Sequence, residues 1–156
     1  MTDTYDYREL IRPLIAVLKD KTGAKVYESS FEGRQPKDPF LTYEPVTPYI
    51  PLSVDVVDDE IWECTWSIDA IADDMIKAMG LAQKSLKVLR TQEASLIFED
   101  AGIYLVEEGQ AERRDIPYIE GVQKHRVGFD IRIRVQDHFT DDVQTIDSIE
   151  QENKEA

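Results

Sequence analysis

Cys64, His125 and His138 are the side chains from which nucleophilic or metal chemistry would ordinarily be built, because thiolate and imidazole act near neutral pH. Their surroundings point elsewhere. Cys64 stands in the run W-E-C-T-W, between Trp62 and Trp66, and reads as a small buried apolar residue. Two histidines do not make a multi-histidine site, and no neighbouring Cys or carboxylate spacing completes a ligand set. Asp58, Asp59 and Glu60 would suit a hard cation, yet the EF-hand pattern and its central glycine are missing, so an acidic turn is the better reading. Asp73 and Asp74 would suit acid–base work, but at a helix start they serve the helix dipole. Neither a G-x-S-x-G elbow nor a glycine-rich phosphate loop occurs. We therefore assign no catalytic residue, no cofactor and no metal ligand, and expect a protein that is not an enzyme.

The cations form the one grouped pattern. Arg126, Arg132 and Arg134 alternate along one face of a strand, and Arg113 and Arg114 precede them. A planar guanidinium suits bidentate pairing with carboxylates. These arginines are expected to pair with acids of a neighbouring strand or of a neighbouring subunit. Arg34 and the large aromatics Trp62 and Trp66 join them as expected subunit-interface residues. A nucleic-acid stripe is the weaker reading, because Asp130 interrupts the row and the chain carries a net charge of −14 with a pI near 4.5. Such a surface repels phosphates.

Periodicity supplies the elements that hold these residues. Residues 5–21 carry Leu10, Ile11, Leu14, Ile15 and Leu18 at helical spacing, interrupted by Pro13 and stopped by Gly23. Residues 24–30 and 40–44 are expected strands, with Pro45, Pro48 and Pro51 breaking the chain beyond the second. Residues 61–70 alternate strictly: Trp62, Cys64, Trp66 and Ile68 inward, Glu63, Thr65, Ser67 and Asp69 on the other face. A long helix is expected over 72–89, its apolar stripe made of Ile76, Met79, Ala82, Leu86 and Leu89. Residues 91–101 support at most a short helical turn. Strands follow over 103–107 and 124–137, separated by a charged, turn-rich connection over 111–121. The order implies an α+β fold, with a mixed or antiparallel sheet of four to five strands and two main helices packed on one face.

At 156 residues the chain suits a single domain, placed at 1–137, followed by an acidic tail at 138–156 expected to be disordered by itself. No apolar run approaches a membrane span, and the polar, acidic residues 1–9 do not read as a signal peptide. A lone cysteine excludes an internal disulfide.

Three segments carry a resemblance. The first is a helix followed by G-A-K-V-Y (23–27), a Pro-bearing loop and F-L-T-Y-E (40–44). The second is the aromatic strand 62–68 leading into the helix from Ala72. The third is H-R-V-G-F-D-I-R-I-R-V (125–135). Over residues 5–137 the sequence resembles tail terminator and neck proteins of long-tailed phages. The resemblance implies a virion protein assembled in the host cytoplasm, closing into a homo-oligomeric ring, commonly a hexamer. Such a ring caps the tail tube, halts its growth and offers the head-completion protein a joining surface. DNA crosses its lumen without specific binding, and no membrane is involved. The resemblance leaves open a head-completion (stopper or connector) protein, and the residues alone leave open an acidic adaptor that recognises a basic partner and, more weakly, a small enzyme with a dispersed site.

Overall fold

The structure, a computed structural model, describes residues 4–31, 36–115 and 124–141. Arg34, parts of two loops and residues 142–156 of the expected tail lie outside the described residues.

Helix α1 (Arg8–Thr22) buries Leu10, Leu14, Val17 and Leu18. Gly23 ends it at φ 73°, its N–H donating to the Lys19 carbonyl. That left-handed conformation is natural for glycine. Pro13 sits inside the helix rather than at its start. It forgoes one intrahelical hydrogen bond, and the buried leucines on either side hold the helix through it.

Two strands follow, β1 (Val26–Glu28) and β2 (Phe40–Pro51). The expected break at Pro45 does not occur. β2 continues through all three prolines, because β1 pairs only with Leu41–Tyr43 and the rest of β2 is a sheet edge. Prolines are tolerated at edges and bulges, and the register with the next strand shifts between Pro45 and Thr47 and again between Thr47 and Ile50.

Strand β3 (Ile61–Ala72) leads into α2 (Met75–Leu89), which Asp74 caps by accepting from the Ile76 N–H at 2.8 Å. A third helix, α3 (Gln92–Asp100), stands where the sequence promised a turn; Thr91 caps it by accepting from the Ala94 N–H. Then come β4 (Ile103–Glu108), the two-residue β5 (Glu112–Arg113) and β6 (His125–Gln136). The sheet runs β1-β2-β3-β6-β4, with β5 also on β6. β1 lies parallel to β2 and the other pairs are antiparallel. The result is an α+β fold with a mixed, open sheet; among the described residues β5 raises the strand number to six, and α3 makes the helices three.

The core lies between the helices and one sheet face. Trp62, Cys64, Trp66 and Ile68 of β3 meet Phe129, Ile131, Ile133 and Val135 of β6 beneath α1 and α2. Trp62 is the centre of an aromatic group, edge-on to Tyr5 at 5.1 Å and to Tyr49 at 5.4 Å. The stripe expected on α2 is corrected. Its buried residues are Ala78, Ala82, Ser85 and Leu89, while Ile76 is 77% and Met79 54% exposed. The sheet beneath is crowded with Trp and Phe, so the helix turns its small residues toward it and sends Ile76 and Met79 outward.

One glycine is dictated by close approach. Gly128 of β6 lies opposite Asp69 of β3, and a Cβ there would stand 1.7 Å from Asp69 Oδ1 and 2.7 Å from the Ile68 carbonyl oxygen. The Asp69 carboxylate occupies the space a side chain would need. Gly128→Ala is expected to destabilise the fold by about 2 kcal/mol or more, through overpacking and displacement of a buried carboxylate. Urea denaturation measures it; an unchanged midpoint would contradict the placement of Asp69.

Candidate functional site

The sheet face away from the helices carries the grouped charge. Alternation turns Glu63, Thr65, Ser67 and Asp69 of β3 to this side, yet Glu63, Ser67 and Asp69 are buried at 4%, 4% and 3% exposure. What covers them is arginine. β6 lies antiparallel to β3 with Arg134 directly opposite Glu63 and Arg132 opposite Thr65. Arg134 donates from Nε and Nη2 to Glu63 Oε2 at 3.0 and 2.8 Å. Arg132 Nε stands against Glu63 Oε1 at ion-pair distance but off the hydrogen-bonding axis.

Asp69 anchors a second cluster. Arg114, just past β5, reaches over the sheet and donates from Nη1 to Asp69 Oδ1 at 3.2 Å and to Ser67 Oγ. Its Nη2 donates to Asp130 Oδ1 at 3.0 Å and to Glu112 Oε1 at 3.3 Å. Arg126 stands 3.8 Å from Asp69 Oδ2. Asp115 fastens the end of the cluster, accepting from the Arg126 N–H at 2.8 Å and from Arg113 Nε at 2.6 Å.

The electrostatics follow from these contacts. Hydrogen bonding from Arg134, helped by the charge of Arg132, holds the Glu63 carboxyl below its usual range despite burial. The Arg126 N–H and Arg113 push Asp115 down to about 2. Asp69 moves the other way: burial raises it, and Arg114 and Arg126 offset only part of that. Cys64 is fully buried, and burial pushes its thiol up to about 11. A thiol held protonated is a poor nucleophile. Among the described residues no group of three or more His, Cys, Asp or Glu is placed to hold a metal ion.

Each residue named from the sequence can now be placed. Arg114, Arg126, Arg132 and Arg134 come together on one face, paired with acids of the same chain, whereas Arg113, opposite the core residue Val127, belongs to the helix side and pairs with Asp115. That is the neighbouring-strand form of the expectation. Arg132 and Arg134 keep 37% and 45% of their side chains exposed. Trp62 and Trp66 lie on the opposite face, in the core. Arg34 is outside the described residues. Sequence reasoning did not single out the acids that partner the arginines: Glu63, Asp69, Asp115 and Asp130. Alternation put Glu63 and Asp69 on one strand face, but only the β3–β6 pairing brings that face to the arginines.

A second constellation surrounds the loop between β2 and β3. Tyr49 Oη donates to Glu60 Oε1 at 2.7 Å, and this bond raises the phenol to about 12. The residues after β6 tie the loop down: the Asp59 N–H donates to the Phe139 carbonyl at 2.8 Å, and the Asp141 N–H to Asp58 Oδ1 at 2.7 Å. Trp62 Nε1 donates to Asp137 Oδ2 at 3.1 Å.

Comparison with known proteins gives one match across nearly the whole chain. A family model described as phage neck terminator protein matches residues 8–155. A chain in the solved structure titled "Virion of native gene transfer agent (GTA) particle" superposes with a TM-score of 0.44 at 17% identity, covering 84% of this chain and 91% of its own. A second solved chain gives a TM-score of 0.41 at 13% identity, covering 83% of this chain and 96% of its own. No curated protein of similar sequence was found.

Two outcomes test the charged face. Replacing Arg132 and Arg134 together by Met leaves Glu63 buried without a cation and should cost about 3 kcal/mol, whereas Glu63→Leu, which frees half-exposed arginines to reach water, should cost about 1 kcal/mol or less. Equal losses in urea denaturation would refute this asymmetry. The pH dependence follows from the depressed carboxyls. Asp115 contributes stability that is complete above its ordinary value of 3.8 and is lost as pH falls toward about 2. Glu63 acts in the same sense, and Asp69, being raised, opposes them. Melting temperature followed by circular dichroism should fall through that acid window, and Asp115→Asn should flatten the fall.

Proposed function

Since this chain belongs to the family of phage neck terminator proteins, we propose that it closes into a homo-hexameric ring on the end of the tail, stops growth of the tail tube and presents the surface on which a head-completion protein docks. The observation that carries this reading is the family match over residues 8–155. The chain is thus a structural protein of the phage neck.

The physical properties of the chain support it. Ring closure needs a unit that keeps its shape under load. The β3–β6 pair, clamped by core packing on one face and by arginine–carboxylate pairs on the other, provides such a plate. The exposed flanks of Arg132 and Arg134 are available to a neighbouring subunit, while buried Trp62 and Trp66 act by holding the plate in shape. A net charge of −14 suits a protein that DNA passes without lodging, because acids repel phosphate. A head-to-tail contact closes by rotation without self-complementary patches.

Polymerising tail-tube protein supplies the test. Added at a small fraction of the tube protein, this chain should arrest elongation, and electron microscopy should show a ring on tube ends. Light scattering over a wide concentration range should give one closed mass. Tubes that elongate undisturbed and carry nothing at their ends would refute the reading.

A further inference from the structure

Charge is segregated along this chain. No Lys or Arg occurs between Lys37 and Lys77, and no Asp or Glu between Asp74 and Glu93. The first stretch includes the loop between β2 and β3, residues 52–60; the second is helix α2. Each presents exposed apolar residues beside its charge. In the loop, Val54 is fully exposed and Val57 is 55% exposed, alongside Asp55 and Asp58. On α2, the exposed Ile76 and Met79 stand beside Lys77, Lys84 and Lys87. Helical spacing places Ile76, Met79, Lys84 and Lys87 on one outward side. None of the three lysines forms an ion pair with a described residue. The arginines of β6, by contrast, are already matched by Glu63 and Asp69.

The two surfaces complement each other, and within one molecule the loop does not reach the Ile76 end of α2. The loop lies at the Ile61 end of β3 and α2 starts beyond the Ala72 end. Those twelve residues span roughly 36 Å at the rise of a β-strand. The end of the loop is also tied down, at Asp58 and Asp59, by Asp141 and Phe139, which lowers the ordering it needs on meeting a partner.

We propose that the 52–60 loop of one copy seats its valines on Ile76 and Met79 of the next copy's α2, with Asp55 and Asp58 facing the lysines. The inference rests on the ring reading and adds to it the pair of surfaces that repeats around the ring. Two different patches in contact make a head-to-tail interface, which rotation closes. Exposed Ile76 and Met79 favour a protein occupant over the phosphates of a nucleic acid, which would use the lysines alone. The chain also runs on from Asp141, beside the loop, into residues 142–156, where five acids face one lysine.

Paired cysteines test the contact. A Val54→Cys, Met79→Cys double variant, mildly oxidised, should give a disulfide ladder ending at the closed size on a non-reducing gel. Neither single variant should do so, and native Cys64, fully buried, stays silent. Reversing the α2 charge (K84E with K87E) should raise the concentration needed for assembly at least tenfold, as should D55K, and combining all three changes should restore it. Closed oligomers that form normally in K84E/K87E, with no ladder from the double-cysteine variant, would overturn this contact and leave the ring reading standing. A wild-type chain that stays monomeric at every concentration and on tail tubes would overturn the ring reading, and the contact with it. Retention of duplex DNA by the wild type, lost in K84E/K87E without any change in assembly, would overturn the contact in favour of a nucleic-acid surface.

Discussion

Burial of Glu63 and Asp69 on the outer side of β3 sets a condition that much of the remaining structure meets. A carboxylate removed from water must find cations and hydrogen-bond donors or give up its charge. Arg134 meets Glu63 because β6 lies antiparallel at the register that sets the two opposite each other. Asp69 is met from farther away, by Arg114 beyond β5, and its carboxylate leaves room on β6 only for Gly128. Strand register, the position of β5 and the identity of residue 128 are thus tied to two acids. The core on the other face would tolerate exchanges of apolar residues of similar volume. The ionic face is less permissive, because one missing partner leaves a buried charge exposed to its full desolvation penalty.

For a protein whose role is mechanical, such a face has a plain use. A sheet with one wet side can bend or shed an edge strand as local stability falls. Here β3 and β6 are held from both sides, so loops and helix surfaces projecting from the sheet keep their relative positions. The loop at 52–60 benefits most: Tyr49, Phe139 and Asp141 hold it, and it stands on the end of a strand that cannot slip without exposing its tryptophans.

The net charge of −14 conceals an uneven distribution. The arginines, the most visible cations in the sequence, are internally matched. Positive charge with no ion-pair partner among the described residues lies instead on Lys77, Lys84 and Lys87 of α2. Segregated charge of this kind steers association and fixes which surfaces meet, more than it adds affinity. In the proposed ring, affinity has to come from buried apolar area, which the exposed valines, Ile76 and Met79 offer.

The sequence by itself determined whatever depends on local spacing. Alternation in 61–70 and 124–137 defined both central strands, and the inward residues of the first; helical spacing with Gly23 defined α1. These signals are legible because a side chain's face is set by the period of its own element. The tertiary structure alone decided the rest. Pro45, Pro48 and Pro51 are harmless in β2 because no described strand pairs with its outer side there, and edge status belongs to the sheet. Ile76 and Met79 point outward because the sheet beneath α2 leaves space for alanine, a fact about another element's side chains. α3 rests on a Thr91 cap and packing by Ala94 and Phe98, too few residues for a periodic signal. Arg134 found Glu63 seventy-one positions away, and no local pattern can announce a partner that only strand pairing brings near.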